Sequence, residues 1–191
     1  MREDQLRELL GQVSRGELTP HQGVERLRHL PFEDLGFAQV DHHRGLRQGQ
    51  PEVIFGQGKT VEQIRVIVEN LYERGSNVLV TRLEQDRARE LQALLPATVY
   101  HDAARCLTLE ISPPPEQGRG TILIVAAGTS DLPVASEALV TSCFLGNQTE
   151  LLCDVGVAGI HRLLSRMELL RSATVLIVVA GMEGALPSVV G

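Results

Sequence analysis

The sequence is poor in aromatic residues and in positive charge. Phenylalanine, tyrosine and tryptophan together make up 3% of the 191 residues, tryptophan is absent, and the formal net charge is −6. Nucleic-acid-binding surfaces use aromatic side chains that stack on bases and basic side chains that contact phosphates. The composition therefore argues against a nucleic acid partner, while a local basic pocket for a small anion stays compatible with it.

Cysteines and long apolar runs are also scarce. The three cysteines, Cys106, Cys143 and Cys153, show no C-x-x-C spacing and are odd in number, which is typical of reduced thiols in a cytosolic protein. The N-terminal segment is charged, and no stretch approaches the roughly 20 apolar residues of a membrane span. We therefore expect a soluble, cytoplasmic protein without a signal peptide and without a membrane partner.

Hydrophobic spacing predicts mixed structure in the first 112 residues. Residues from about Arg2 to Leu30 have helical spacing that a Thr-Pro step interrupts. After an irregular polar stretch, we predict a short strand from Glu52 to Phe55 and a helix from Thr60 that Gly75 ends. The segments NVLVTR and ATVYHD are predicted strands on either side of a helix, EQDRARELQALL, and CLTLEIS is predicted as an edge-type strand.

The clearest boundary is PPPEQGRG, residues Pro113 to Gly120, because its prolines cannot continue a strand ladder. Beyond it, TILIVAAG, TELLCDVG and TVLIVVAG are predicted strands that alternate with two helices, SDLPVASEALVTSCFLG and GIHRLLSRMELLRSA. This alternation predicts a doubly wound parallel α/β sheet. We therefore predict a helical and small α/β region (1–112), a linker (113–120) and an α/β substrate-binding domain (121–191).

Each strand of the predicted C-terminal sheet is followed by a loop of glycine and polar residues. Ligands bind outside the carboxyl ends of such strands, so the three loops are expected to line one site. The first loop places Gly128, Thr129, Ser130 and Asp131 directly before a helix, where hydroxyls, free N–H groups and the helix dipole favour an anion. Alternatively, Ser130 or Asp131 only caps that helix.

The second and third loops contribute titratable side chains. His161 lies beside Asp154 and a Gly-rich turn, and it is either an acid/base or substrate-anchoring residue or a structural histidine. Arg162 suits a carboxylate or a phosphate because its donors form a planar fork. Glu183 lies between two glycines that let the backbone approach a ligand, or it is a solvated residue of a turn.

Two motifs of the first half are further candidate sites. GQGKT, residues Gly56 to Thr60, follows a predicted strand and precedes a helix, but it is not a P-loop because Val53 occupies the position of the required first glycine. It is either an anion cradle that uses Lys59 or a tight turn. The adjacent His42 and His43 lack the spacing of common metal-ligand pairs, so we predict no metal site there.

Taken together, AAGTSDLPVASEA, DVGVAGIHRLL and VVAGMEGALPSVV resemble the LarB variant of the PurE-like enzymes. The upstream segments DHHRGLRQGQPEVIFGQGKT and VLVTRL are similar to the N-terminal region of LarB. The resemblance spans roughly Asp41 to Gly191. It implies that the second domain has the PurE-like, flavodoxin-like fold.

The resemblance also implies an activity. LarB enzymes are pyridinium-3,5-biscarboxylic acid mononucleotide synthases, which carboxylate C5 of the pyridinium ring of nicotinic acid adenine dinucleotide with CO2 and release AMP. This is the first step of nickel-pincer cofactor biosynthesis. The resemblance further implies no tightly bound cofactor, leaves a magnesium requirement open, and implies a homo-oligomer, an octamer in PurE-like proteins.

Site residues follow from the same resemblance. Ser130 and Asp131 match substrate-binding residues, His161 and Arg162 match a segment near the reacting ring and the ribose or phosphate, and Glu183 is the candidate for proton transfer. The predicted catalytic residues are Glu183 and His161. The predicted substrate-binding residues are Gly128, Thr129, Ser130, Asp131, Asp154, Arg162, Gly181, Met182, Gly184, Lys59 and Arg44.

The chain departs from the family pattern in its cysteines. The nucleophilic cysteine of the family lies downstream of the Met-Glu-Gly-Ala-Leu-Pro segment, and neither Cys143 nor Cys153 matches it. We therefore expect the chain to lack the C-terminal part of the PurE-like domain, with its nucleophile.

Two other functions stay open. A purine-biosynthetic N5-carboxyaminoimidazole ribonucleotide mutase is disfavoured by the N-terminal region and by Gly128-Thr129-Ser130-Asp131, where that family has Ser-x-Ser-Asp. A catalytically inactive nucleotide-binding or oligomerisation module is the remaining alternative.

Overall fold

Helices and three β-sheets make up the computed structural model, which describes residues 3–27, 32–114, 116 and 118–191. The predicted helical residues Arg2 and 28–30, and two residues of the predicted linker, Pro115 and Gln117, lie outside the described residues. The described helices are α1 (Glu3–Ser14), α2 (Pro20–Leu27), α3 (Arg44–Gln48), α4 (Val61–Glu73), α5 (Gln85–Leu94), α6 (Leu132–Phe144), α7 (Ile160–Leu164), α8 (Met167–Ser172) and α9 (Ala185–Val190). The described strands are β1 (Phe32–Asp34), β2 (Gln39–Asp41), β3 (Val53–Phe55), β4 (Val78–Thr81), β5 (Val99–His101), β6 (Cys106–Leu109), β7 (Thr121–Ala126), β8 (Gln148–Leu152) and β9 (Val175–Val179).

The strands form one hairpin and two larger sheets. Strands β1 and β2 pair antiparallel, the second sheet has the order β3-β4-β6-β5, and the third has the order β8-β7-β9. Strand β7 is parallel to both β8 and β9, whereas β6 runs antiparallel to β4 and β5. The protein is therefore a mixed α/β protein, and the predicted parallel sheet of a PurE-like, flavodoxin-like fold is confirmed.

Three predicted elements differ from the structure. The segment CLTLEIS was expected at a sheet edge, but its strand β6 lies between β4 and β5, and all four of its residues are buried. The predicted helix GIHRLLSRMELLRSA is two short helices, which are separated where the hydroxyl of Ser165 donates to the carbonyl of Arg162 (2.7 Å) and Arg166 leaves the helical conformation with φ of −114°. The polar stretch before β3 contains the β1–β2 hairpin and α3, whose elements are too short to show a hydrophobic period.

Helix α6 is apolar around most of its circumference because it packs on both larger sheets. Ala135, Ala138 and Leu139 contact the β7 side chains that point to one face of the third sheet. Val140 and Phe144 pack against residues of β3, β4 and β6 in the second sheet. A helix without a polar face is expected where both sides are covered. The predicted division of the chain at residues 113–120 stays a prediction, and both sheets share this helix.

The opposite face of each sheet is covered by other helices. Helices α7, α8 and α9 pack on the second face of the parallel sheet through Leu163, Leu170 and Leu186. Helices α4 and α5 cover the second sheet in the same way. Among the described residues, no helix combines the length and the apolar character that crossing a lipid bilayer requires.

Replacing Phe144 by alanine tests the shared helix. Phe144 is 4% exposed in the cluster between α6 and the second sheet, so we expect Phe144→Ala to lower the free energy of unfolding by about 3 kcal/mol or more through the cavity it leaves. Val134→Ala, at a position of the same helix that is 47% exposed, is the matched control and is expected to change stability by less than about 1 kcal/mol. Urea unfolding followed by circular dichroism measures both, and equal small effects would contradict this packing.

Candidate active site

The order β8-β7-β9 creates a crevice at the carboxyl ends of the parallel strands. From β7 the chain crosses to β8 on one side of the sheet and then to β9 on the other side, so the loops that follow β7 and β9 diverge. In flavodoxin-like sheets, ligands bind at such a change of direction. The loops of residues 127–131 and 180–184 are the walls of this crevice.

The carboxylate of Asp131 joins the two walls. Its Oδ2 accepts a hydrogen bond from the backbone N–H of Gly128, and its Oδ1 accepts one from the N–H of Gly181, each with a nitrogen–oxygen distance of 2.9 Å. The first contact resembles the capping alternative raised from the sequence. The second contact crosses fifty positions of the chain and fixes the third loop against the first. Asp131 therefore holds the backbone of the first and third loops in place. The neighbouring residues Thr129 and Ser130, which carry hydroxyl groups, are exposed.

The second loop approaches the first through glycine. The N–H of Gly156 donates to the carbonyl of Ala127 (2.8 Å), and a Cβ at position 156 would lie 2.9 Å from that oxygen. Only glycine allows this approach. Gly156 was not among the predicted site residues, although a glycine in a loop at the end of a strand is a signal of close backbone approach. All three strand-exit loops are thus in contact.

Asp154 and Arg162 form an ion pair at the rim of the site. Arg162 Nη1 lies 2.5 Å from Asp154 Oδ2, and the two side chains are 40% and 59% exposed. Asp154 has a left-handed backbone conformation, with φ of 58°. The guanidinium also lies over Gly159, where a Cβ would be 2.5 Å from Arg162 Nε. These two predicted site residues are together, and they contact each other.

The predicted catalytic side chains are open to solvent in the single chain. His161 lies in the first turn of α7 and Glu183 in the loop before α9, and both are exposed. Met182 is 90% exposed. Gly184 adopts φ of 66° directly before α9, a conformation that glycine adopts without strain. The third strand-exit loop is therefore an exposed wall, and the site beside it is shallow. This wall consists of Gly181, Met182, Glu183 and Gly184.

Lys59 lies in a tight turn of the other sheet. Its N–H donates to the carbonyl of Gly56 (3.2 Å), and Arg87 Nη1 donates to the carbonyls of Gly56 (3.1 Å) and Lys59 (2.7 Å). Residues Gly56 to Lys59 therefore form the tight turn that was one of the two interpretations of GQGKT. Arg87, which was not among the predicted residues, stabilises this turn. The turn follows β3, whose direction relative to α6 is that of β7, so Lys59 lies at the same edge of the protein as the strand-exit loops.

Arg44 is not brought to these loops. It begins α3, and its charge acts on Glu52, which directly precedes β3. Glu52 lines a pocket together with Phe144 at the C-terminal end of α6, whereas the strand exits lie at the N-terminal end of that helix. The structure therefore does not bring Arg44 to the strand-exit loops, and its role in substrate binding stays a prediction. Arg44 and Lys59 are close in sequence but lie at opposite edges of the protein, because strand β3 runs between them.

None of the three cysteines has the setting of a nucleophile. Cys106 is buried, its thiol donates to the carbonyl of Ala104, and burial raises its pKa to about 12. Burial, with the nearby charge of Asp154, also raises the pKa of Cys153. Nucleophilic thiols have lowered pKa values. Cys143 lies exposed on α6, away from the loops after β8 and β9.

No metal centre is formed by the part of the chain that the structure describes: no group of three or more His, Cys, Asp or Glu side chains there could hold a metal ion. His42 instead lies with its Nε2 3.3 Å from Glu33 Oε2.

The chain is similar to a known protein family and to a protein from an archaeon. Residues 32–112 match the family model of the LarB/PurE-like N-terminal domain. Over 193 aligned residues, the chain is 33% identical to the uncharacterized protein MJ0165 of Methanocaldococcus jannaschii, and the alignment covers 97% of this chain and 75% of that protein.

Replacing Asp131 tests its bridging role. Asp131→Asn keeps the shape but places an amide NH2 group against one of the two backbone N–H donors, so we expect a loss of about 1–3 kcal/mol in the free energy of unfolding. Ser130→Ala, at the exposed neighbouring position, is the control and should change stability by less than about 0.5 kcal/mol. Thermal or urea unfolding measures both. Equal stability of Asp131→Asn and the parent protein would show that the carboxylate does not hold the loops.

Proposed function

Because this chain belongs to the LarB/PurE-like family, a family of carboxylase- and mutase-type enzymes, we propose that it carboxylates C5 of the pyridinium ring of nicotinic acid adenine dinucleotide and cleaves the phosphoanhydride to release AMP. The proposal takes its substrate from the LarB resemblance of the strand-exit loops. It concerns the first step of nickel-pincer cofactor biosynthesis.

One observation carries the proposal. The carboxylate of Asp131 holds the loop with Thr129 and Ser130 against the loop with Glu183. The loop with the two hydroxyl groups and the loop with the Glu183 carboxylate therefore lie together at the edge of the sheet where flavodoxin-like folds bind nucleotides. This arrangement supports a site in which one wall binds ribose or phosphate and the other removes a proton.

Arg162 is available to bind an anionic part of the substrate. Its partner Asp154 is more than half exposed, and ion pairs of this kind contribute about 0–1 kcal/mol. A phosphate or carboxylate of the dinucleotide could replace Asp154 at little cost and accept two parallel hydrogen bonds from the guanidinium. Lys59, at the same edge of the protein, is a second cation for the same substrate.

The proposed chemistry needs an electron-rich ring. A pyridinium cation is a poor nucleophile toward CO2, so a thiolate first adds to the ring and converts it to a dihydropyridine. The ring carbon then forms a C–C bond with CO2, Glu183 takes the C5 proton, and departure of the thiolate restores the aromatic ring. The thiolate step is assigned to none of Cys106, Cys143 and Cys153, because burial raises the pKa of two and the third lies on α6.

Solvent must be excluded from such a site, and an assembly would do so. We propose a homo-oligomer, an octamer by the resemblance, in which a second copy covers the exposed wall around Met182. A reactive dihydropyridine is protected in this way from water. Sedimentation velocity of the purified protein reports the assembly directly.

The activity is tested on the complete gene product with nicotinic acid adenine dinucleotide and bicarbonate. We expect AMP release and a product whose mass shows one added carboxyl group, both followed by mass spectrometry. Turnover of aminoimidazole ribonucleotides alone would instead establish a mutase. Binding of the dinucleotide without turnover would establish a nucleotide-binding module, and each of these two outcomes overturns the proposal.

Replacing Glu183 tests its assigned role. Glu183→Gln removes the proton acceptor but keeps the size of the side chain, so we expect turnover to fall by about 10²–10⁴-fold while the Kd of the dinucleotide changes little. Glu168→Gln, an exposed carboxylate in the first turn of α8, is the control and should retain turnover. Unchanged turnover in Glu183→Gln would remove Glu183 from proton transfer without overturning the substrate assignment.

A further inference from the structure

A second cavity lies at the other edge of the protein. It is a partly open depression between the segment that follows the β1–β2 hairpin and the C-terminal ends of α4 and α6, and its void, counted together with the adjoining open solvent, is about 740 Å³. None of the residues predicted for the active site lines it. Its wall combines the apolar side chains of Leu71, Phe144 and Leu145 with the carboxylate of Glu52 and the polar residues Gln50 and Ser76.

Helix α6 separates this cavity from the candidate active site. The strand-exit loop of Asp131 precedes the first residue of α6, and the cavity is lined by its last residue, Phe144. Thirteen residues of α-helix span about 20 Å. The cavity is therefore a separate site, and a single ligand in the crevice above β7 and β9 does not reach it along this helix.

Two helix ends with negative partial charge meet at the cavity wall. Helices α4 and α6 each have 13 residues, and both end at the cavity wall, so that the negative ends of two helix dipoles meet there. Among the described residues that line the cavity, none is a lysine or an arginine. Burial, followed by the charge of Arg74, lowers the pKa of the lining residue His42, which favours its neutral form.

The two lining carboxylates differ in how well they are compensated. Asp41 accepts hydrogen bonds from the N–H of His43 (2.9 Å) and from Arg47 Nη2 (2.6 Å). Glu52 accepts from the N–H of Asp41 through Oε2 (2.6 Å), and burial raises its pKa in spite of the nearby charge of Arg44. A half-buried carboxylate in this situation is stabilised by a further positive group.

The hairpin side of the cavity is held in place. Glu33 of β1 accepts hydrogen bonds from Asn70 Nδ2 (2.9 Å) and Arg74 Nη2 (2.5 Å) of the α4 region. The hydrogen bond from Asn70, with the contribution of Arg74, holds the pKa of Glu33 at about 2, so this connection is fully charged at neutral pH. A preformed cavity binds a ligand without an ordering cost.

We propose that this cavity binds a small organic cation, with its ammonium or amidinium group against Glu52 and its hydrocarbon part against Leu71, Phe144 and Leu145. The apolar surface provides affinity, and the carboxylate with the two helix ends selects the charge. The site is independent of the proposed carboxylase function, since it shares no residue with the crevice at the strand exits.

Three probes of equal shape test the charge selectivity. Benzamidine, benzamide and benzoate differ in charge while they keep the same ring, and saturation-transfer NMR on the full chain measures their affinities. We expect benzamidine to bind about tenfold more tightly than benzamide, and benzoate to bind most weakly. Equal affinity of the three probes, or no binding of benzamidine at millimolar concentration, would overturn the proposal.

Variants at the cavity test the location. Glu52→Gln keeps an acceptor for the N–H of Asp41 and is expected to reduce the affinity of benzamidine about tenfold. Glu90→Gln makes the same charge change at an exposed position of α5 and should leave the affinity unchanged. Gln50→Lys places a tethered ammonium group at the cavity and should also weaken the binding of benzamidine. Circular dichroism verifies that the variants are folded. Unaltered benzamidine affinity in both folded cavity variants would show that the cation binds elsewhere.

Discussion

The burial of α6 between two sheets is the constraint on which the rest of the structure depends. Ala135 and Leu139 lie against the parallel sheet, while Val140 and Phe144 lie against the mixed sheet. Because a different set of α6 side chains packs against each sheet, the helix has a fixed rotation between them. Arg82, at the end of β4, adds an ion pair to Glu137 of α6 (2.5 Å) and fixes the direction of the second sheet along the helix.

This packing divides the protein into two functional edges. Strands β3, β4 and β7 all run opposite to α6, so their carboxyl ends lie at the N-terminal end of that helix, with the loops of Lys59 and Asp131. The C-terminal ends of α4 and α6 lie at the other edge, around the cavity that Glu52 lines. The N-terminal ends of helices favour anions and the C-terminal ends favour cations. The proposed dinucleotide and the proposed cation therefore belong to opposite ends of the same helix.

Within the candidate active site, positioning and binding are done by different groups. Asp131 and Gly156 hold the three loops together through backbone contacts. The side chains of His161 and Glu183 remain exposed beside them, and Arg162 is held by the exposed Asp154. A rigid backbone frame with solvent-facing side chains allows the substrate to engage those side chains without unfolding a loop. Because the chain belongs to the LarB/PurE-like family, we relate this frame to carboxylase- and mutase-type chemistry.

The sequence by itself determined the strands of the parallel sheet, the three strand-exit loops and the family, because apolar runs and glycine-containing turns are local features. It did not determine that β6 is an interior strand, that the helix around Ser165 is broken, or that Arg44 and Lys59 lie at opposite edges. The position of β6 and the edges at which Arg44 and Lys59 lie depend on neighbours distant along the chain, whereas the break at Ser165 involves a local contact. Only the tertiary structure placed Gly181 against Asp131 and formed the cavity beside Glu52, since both depend on how α6 aligns two sheets that the chain builds separately.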